Sequence, residues 1–365
     1  MIALHALAFI AGVALVLWVL FSALVTVVLP RAESATLTRF VFISWRAMFV
    51  LFARRARSFE TQDRIMAFLG PVGLLTLPFV WLLLVLFGYT AMYWAIGDVN
   101  LRGAFTEGGS LFTFGFKAPP AIPQTVLAYT EAALGLGLVA LLISYLPSLY
   151  AAFSRREQLV TLLETRAGNP PSVQQMLRRF YIIHGLDQLG PQFGLWEQWF
   201  ADVEETHTSF PALVNFRSPL PHRSWLTSAG AVLDSASFAA STLDQPRESR
   251  AELCIRAGYL CLRRIAKTFG IPYNANPAPD DPISVTREEY DAVYDQLSAD
   301  GLPLRADRDQ AWRDFAGWRV NYDDVLLGLA LLTVAPMAEW TSDRSRSTAR
   351  SGLALTRPPR RRSPK

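Results

Sequence analysis

Three stretches of this chain stay free of charge for longer than a bilayer is thick. Met1 to Pro30 holds no Asp, Glu, Lys or Arg, Ile65 to Gly97 holds none, and Ala118 to Ser154 holds Glu131 alone. A helix needs about 20 consecutive apolar residues to cross the hydrocarbon core. The pattern therefore predicts three spanning helices: one within residues 1–30, one over Val72–Trp94 and one over Thr125–Phe153. The first run is too long for a secretory leader and lacks a basic head and a small-residue cleavage site. Gly70-Pro71 predicts a break before the second span, and Trp81, Tyr89, Tyr93 and Trp94 offer interfacial anchors within it.

Between the first two runs, "RFVFISWRAMFVLFARRAR" (Arg39 to Arg57) alternates apolar residues with arginines at helical spacing. Such a segment is either a helix lying in the headgroup layer or a buried linker helix. After Ser154 the chain turns polar with a helical period. A continuation of the third span ends at "GNPP" (Gly168 to Pro171), and helices are predicted over Val173–Leu189, Leu195–His207, Ser224–Thr242 and Ala251–Phe269. "TREE" (Thr286 to Glu289) reads as a capping box, and one helix is predicted from Asp307 to Ala335, its apolar part Val325–Ala335 being only half a span and hence core. Residues 341–365 carry eight basic residues against one acid, with Ser and Pro, and predict a disordered tail. That tail is either a tether to anionic lipid or a solvated end.

Charge orients these elements. Residues 31–64 hold seven arginines against three acids, whereas residues 97–122 hold Arg102 and Lys117 against Asp98 and Glu107. Short basic loops stay in the cytoplasm. The N-terminus is thus expected outside and the C-terminal half in the cytoplasm of a plasma-membrane protein. The fold class expected is an all-α integral membrane protein: three transmembrane helices, a re-entrant helix and loop between the last two, and a helical cytoplasmic domain over residues 155–340. Cys254 and Cys261, seven apart on one helix, read as reduced packing residues.

The loop between the second and third spans carries "GGSLFTFGFKAPP", Gly108 to Pro120. With Val72–Trp94 before it, Leu101–Phe112 as a short descending helix and Thr125–Phe153 after it, the segment resembles the pore-loop unit of potassium channels, residues 65–154 overall. The resemblance implies that Thr113, Phe114, Gly115 and Phe116 stand at the selectivity filter, where backbone carbonyls replace an ion's hydration shell. Lys117 stands where the family has its second glycine, which puts potassium selectivity in question. Glu131 followed four residues later by Gly135, then Gly137 and Pro147, is similar to the inner helices of bacterial members, with Lys117, Arg102 or Ser110 as partners for Glu131. The family implies a homotetramer and a monovalent cation, potassium first, as the permeant ion.

Other chemistry is weaker. His207, Arg217 and His222 lie in one segment with Glu204, Glu205 and several hydroxyls, but it lacks a nucleophile elbow or the His-Glu-x-x-His spacing of a metal site. It reads as an ordered loop, with cytoplasmic sensing as its functional alternative. No enzyme activity, cofactor or metal is expected, and the near-neutral charge outside the tail gives no footprint for nucleic acid. The rival to a channel is a non-conducting sensor or scaffold acting through the cytoplasmic domain.

Overall fold

The computed structural model describes residues 2–27, 36–97, 100–109 and 121–344, so the filter-like segment Thr113–Lys117 and residues 345–365 lie outside the described part. The described residues are helical, with one isolated β-bridge between Leu243 and Leu304. They form two compact units, Met1–Phe153 with His207–Phe216, and Ser154–Thr206 with Arg217–Lys365.

In the first unit, α1 (Ile2–Val27) packs along α4 (Leu69–Ile96), which is also flanked by α2 (Thr36–Ala53) and α5 (Leu101–Gly108). Small residues allow the α1–α4 approach: a Cβ on Gly12 would lie 2.5 Å from the Gly88 carbonyl oxygen, and one on Gly88 would lie 2.7 Å from Val16. In lipid, such close backbone packing replaces the hydrophobic drive as the source of helix association. α4 thus takes the central place, and its Trp81, Tyr89 and Tyr93 are buried against α1 and α6 (Ile122–Ala167) rather than anchored at an interface. Trp94 is half-buried and its ring stacks at 4.8 Å on His5.

Among the described residues four helices, not three, are long and apolar enough to cross a membrane, because α2 qualifies together with α1, α6 and the stretch Phe59–Ile96. The break expected at Gly70-Pro71 falls instead at Phe68, between α3 (Phe59–Ala67) and α4. Pro71 occupies the first turn of α4, where a missing N–H leaves no hydrogen bond unmade. The segment Ala212–Leu213 packs with Leu74, Tyr145 and Leu149, so a piece of chain from far along the sequence completes this unit.

The second unit is built around α9 (Trp225–Thr242), buried at every position except Ala239 and Ala240. Its run of Ala, Ser and Gly lets α7 (Val173–Ile182), α10 (Ser249–Thr268), α12 (Arg308–Arg319) and α13 (Asp323–Thr333) close on it. Ser224 caps α9, and the capping box of Thr286 and Glu289 opens α11 (Arg287–Ala299) as expected. Gly168, at φ +82°, stops α6, since that backbone region is free of strain only for glycine. Cys254 and Cys261 are free and fully buried on α10. Trp196, Trp199, Trp225 and Trp340 are core residues.

Three expectations differ. The single helix over Asp307–Ala335 is two, broken over Val320–Tyr322. The helix over Val173–Leu189 stops at Ile182, and α8 (Leu189–Ser209) begins before Leu195. Thr341 and Ser342, assigned to the tail, are buried.

Candidate functional site

Four residues after α4 ends, Asn100 accepts a hydrogen bond from the Gly103 N–H at 2.9 Å and starts α5. α5 runs back along α4. A Cβ on Gly108, its last residue, would lie 3.2 Å from Leu86, 3.4 Å from the Thr90 hydroxyl and 3.6 Å from Glu131 Oε1. Eight residues at about 1.5 Å each carry the chain about 12 Å, matching the return from Ile96 to the level of Gly88. The C-terminal end of α5 therefore sits inside the helix bundle.

Glu131 faces this end from α6 and is 1 % exposed. Its Oε2 accepts a hydrogen bond from the Tyr93 hydroxyl at 3.2 Å, while Oε1 has no partner among the described residues. Tyr89 supports the same wall by donating to Thr130 at 3.0 Å. Glu107 on α5 adds a second buried carboxyl oxygen without a partner among the described residues. Buried polar atoms are nearly always hydrogen-bonded, so the two carboxyl oxygens at the end of α5 single it out as a candidate site.

Among the described residues Glu131 bonds to Tyr93 and not to Arg102, one of the three partners foreseen for it. Arg102 is exposed on the first turn of α5, and the hydrogen bond comes from Tyr93; Ser110 and Lys117 lie outside the described residues, as do Thr113, Phe114, Gly115 and Phe116. Gly135 is buried on α6, Gly137 is exposed with nothing near its Cα hydrogens, and the helix passes through Pro147 unbroken. Tyr93 and Glu107 were the missed residues. A phenol in the last turn of an apolar helix and an acid beside Gly108-Gly109 were the available signals.

The segment expected as a loop of titratable residues is different in form. His207 is fully buried in the last turn of α8, within the first unit. Arg217, in the second unit, donates Nη2 to the carbonyls of Thr333 at 2.6 Å and Val334 at 3.0 Å, closing the C-terminus of α13. A cation satisfying the last carbonyls of a helix is a structural role. His222 is exposed.

The second unit also contains a buried charge cluster that composition did not announce. Arg319, fully buried, donates to Asp234, to Asp323 at 2.8 Å and to the Trp340 carbonyl at 2.6 Å. Tyr322 donates to Asp234 at 2.8 Å, and the Ser284 N–H and hydroxyl donate to Asp323 at 2.8 and 2.7 Å. It ties α9, α12, α13 and the segment through Trp340 together. Among the described residues no group of His, Cys, Asp and Glu is arranged to hold a metal ion. No family model, curated protein or solved structure matches this chain.

Proposed function

We propose that α4, α5, the following loop and α6 act as a pore-loop unit that passes monovalent cations, potassium first, across the plasma membrane. The observation that carries this reading is the placement of Glu131. Its carboxyl meets the C-terminal end of a helix that has turned back into the bundle, directly before "TFGFK" (Thr113 to Lys117). Carboxyl groups in a membrane are costly and face protein or a wet path. Acceptor oxygens from Glu131, Glu107 and the end of α5 favour a cation at that point.

In this reading the carbonyls of Thr113, Phe114, Gly115 and Phe116 line the path, and Glu131 braces it. One loop per chain calls for a homotetramer, and the uncovered face of α6 supplies a suitable surface. Thr130, Ala133, Gly137, Ala140, Ser144 and Ser148 are exposed there at helical spacing, small and hydroxylated as a wet path or helix contact requires. Four copies of Lys117 at the mouth discourage cations without excluding them, since a pair about 10 Å apart repels by about 0.4 kcal/mol in water. The N-terminus lies outside and the second unit in the cytoplasm, on the charge bias of the loops.

Lys117 also motivates the second reading, a non-conducting sensor or scaffold that keeps the pore architecture and acts through its cytoplasmic unit. Single-channel recording from purified protein in planar bilayers separates the two. Cation current in wild type, lost in Glu131→Ala and enlarged in Lys117→Gly, supports conduction. Silence in wild type together with silence in Lys117→Gly rejects it.

A further inference from the structure

Residues 36–67 contain six arginines against two acids. Of the six, Arg39, Arg54, Arg55, Arg57 and Arg64 are exposed, and none of these five pairs with a carboxylate among the described residues. The second unit behaves differently: Arg178 pairs with Asp300, Arg247 with Glu252, Arg264 with Glu204 and Arg308 with Asp295. Three exposed arginines of the second unit, Arg178, Arg247 and Arg264, thus have counter-charges, whereas the five exposed arginines of residues 39–64 have none among the described residues.

The apolar neighbours of the strip have a consistent direction. α2 turns Leu37, Val41 and Trp45 to the helix bundle and leaves Phe40, Ile43, Met48, Leu51 and Phe52 exposed. Phe68, at the end of α3, is exposed as well. Arg54, Arg55 and Arg57 occupy the turn between α2 and α3, where backbone bonds close Arg54 N–H on Val50 and Arg55 N–H on Phe52. An exposed aromatic and aliphatic face edged by unpaired guanidinium groups fits one environment: acyl chains beside anionic headgroups. Guanidinium forks also match phosphate oxygens two at a time, which lysine cannot do.

We propose that Arg54, Arg55 and Arg57, assisted by Arg39 and Arg64, form a binding surface for anionic phospholipid, such as phosphatidylglycerol, in the cytoplasmic leaflet. Charge complementarity selects this occupant, because six arginines less the two acids Glu60 and Asp63 leave the strip with a net charge of +4. The inference does not depend on conduction. It also differs from a tether through residues 345–365, which would leave the α2–α3 turn indifferent to headgroup charge.

The test uses the full chain in phosphatidylcholine vesicles containing either brominated phosphatidylglycerol or brominated phosphatidylcholine. Quenching of tryptophan fluorescence reports lipid at the protein surface, with Trp45 on α2 nearest the strip. Wild type is expected to prefer the anionic lipid about tenfold at low salt, with the preference shrinking as the Debye length falls. The triple variant Arg54→Gln/Arg55→Gln/Arg57→Gln is expected to lose it, and the corresponding Lys triple to recover much of it. Equal quenching by both lipids in wild type overturns the proposal. So does a preference that survives the Gln triple but disappears in Arg360→Gln/Arg361→Gln/Arg362→Gln, which assigns the lipid to the tail. If the Gln triple does not reconstitute, a preference in wild type that ignores salt overturns it instead.

Discussion

At the scale of single residues, the buried Arg319 holds two carboxylates, so its removal strands both. Breaking a buried ion pair from one side costs about 3–5 kcal/mol, because the remaining charge has neither water nor partner. Arg319→Met is therefore expected to lower the stability of the full chain in detergent by about that amount, followed by urea unfolding. Asp234→Asn should cost less, since Arg319 keeps Asp323 and the site becomes a balanced pair. Equal losses in the two variants would mean that packing, not charge, sets the cost. The two cysteines give a pH dependence of known sign. Burial, reinforced by Glu197 near Cys254 and Glu204 near Cys261, pushes both thiols up. An unfolded thiol ionises at about pH 8.5. Above that value the folded chain holds more protons than the unfolded one, so stability is complete below it and falls as the pH rises. The slope approaches about 1.4 kcal/mol per pH unit for each thiol. Melting temperature measured from pH 8 to 10.5 should fall less steeply in Cys254→Ala/Cys261→Ala than in wild type, whatever the two variants' absolute values.

At the scale of elements, α4 is the axis of the first unit, and Gly88 is where α1 comes closest to it. A valine there meets Val16 and the Gly12 carbonyl, and overpacking of this kind costs about 1–3 kcal/mol. Gly88→Val is expected to lower the melting temperature of the detergent-solubilised chain, while Gly317→Val on α12, where a Cβ meets no atom closer than 3.6 Å, should not. Comparable losses at both glycines would assign the effect to helix propensity alone. What the sequence made legible follows from the range of the signal. Charge-free runs, the Thr286–Glu289 box and the stop at Gly168 are local patterns, and they appear where expected. The division between α12 and α13 was hidden because "RVNYDD" (Arg319 to Asp324) carries neither Gly nor Pro; the Arg319–Asp234–Asp323 cluster and the buried Tyr322 fix it through tertiary contacts. The burial of Trp81 and Tyr93 was hidden for a similar reason. An aromatic near a helix end looks like an anchor until the neighbouring helix is known. For Glu131, a lone carboxyl in an apolar run was readable from the sequence, but its partner Tyr93 lies 38 positions away and no short-range pattern links them.

At the scale of the whole molecule, the open question is what α2 does, because α2 decides the parity of the fold. Its length, about 27 Å for 18 residues, equals a thin bilayer core, and composition alone admits a crossing. Arg39 and Arg46 argue for the headgroup layer, since an arginine at mid-bilayer costs about 3 kcal/mol even on the mildest scale. The two arrangements agree on most of the chain. With the second unit in the cytoplasm, a crossing by α6 puts Arg102 outside and a crossing by α4 puts Ser58 inside in both. They part at residues 28–35. If α2 lies along the membrane, the connection from α1 stays cytoplasmic; if α2 crosses, that connection is external and the N-terminus is cytoplasmic. Cys254 and Cys261 are buried, so single cysteines placed elsewhere can be read with a membrane-impermeant maleimide on intact cells. Arg102→Cys is expected to label from outside, and Ser58→Cys and His222→Cys only after permeabilisation. Glu33→Cys is the deciding position: protection in intact cells is the outcome expected for an interfacial α2, and labelling there would convert the three-span molecule into one with four.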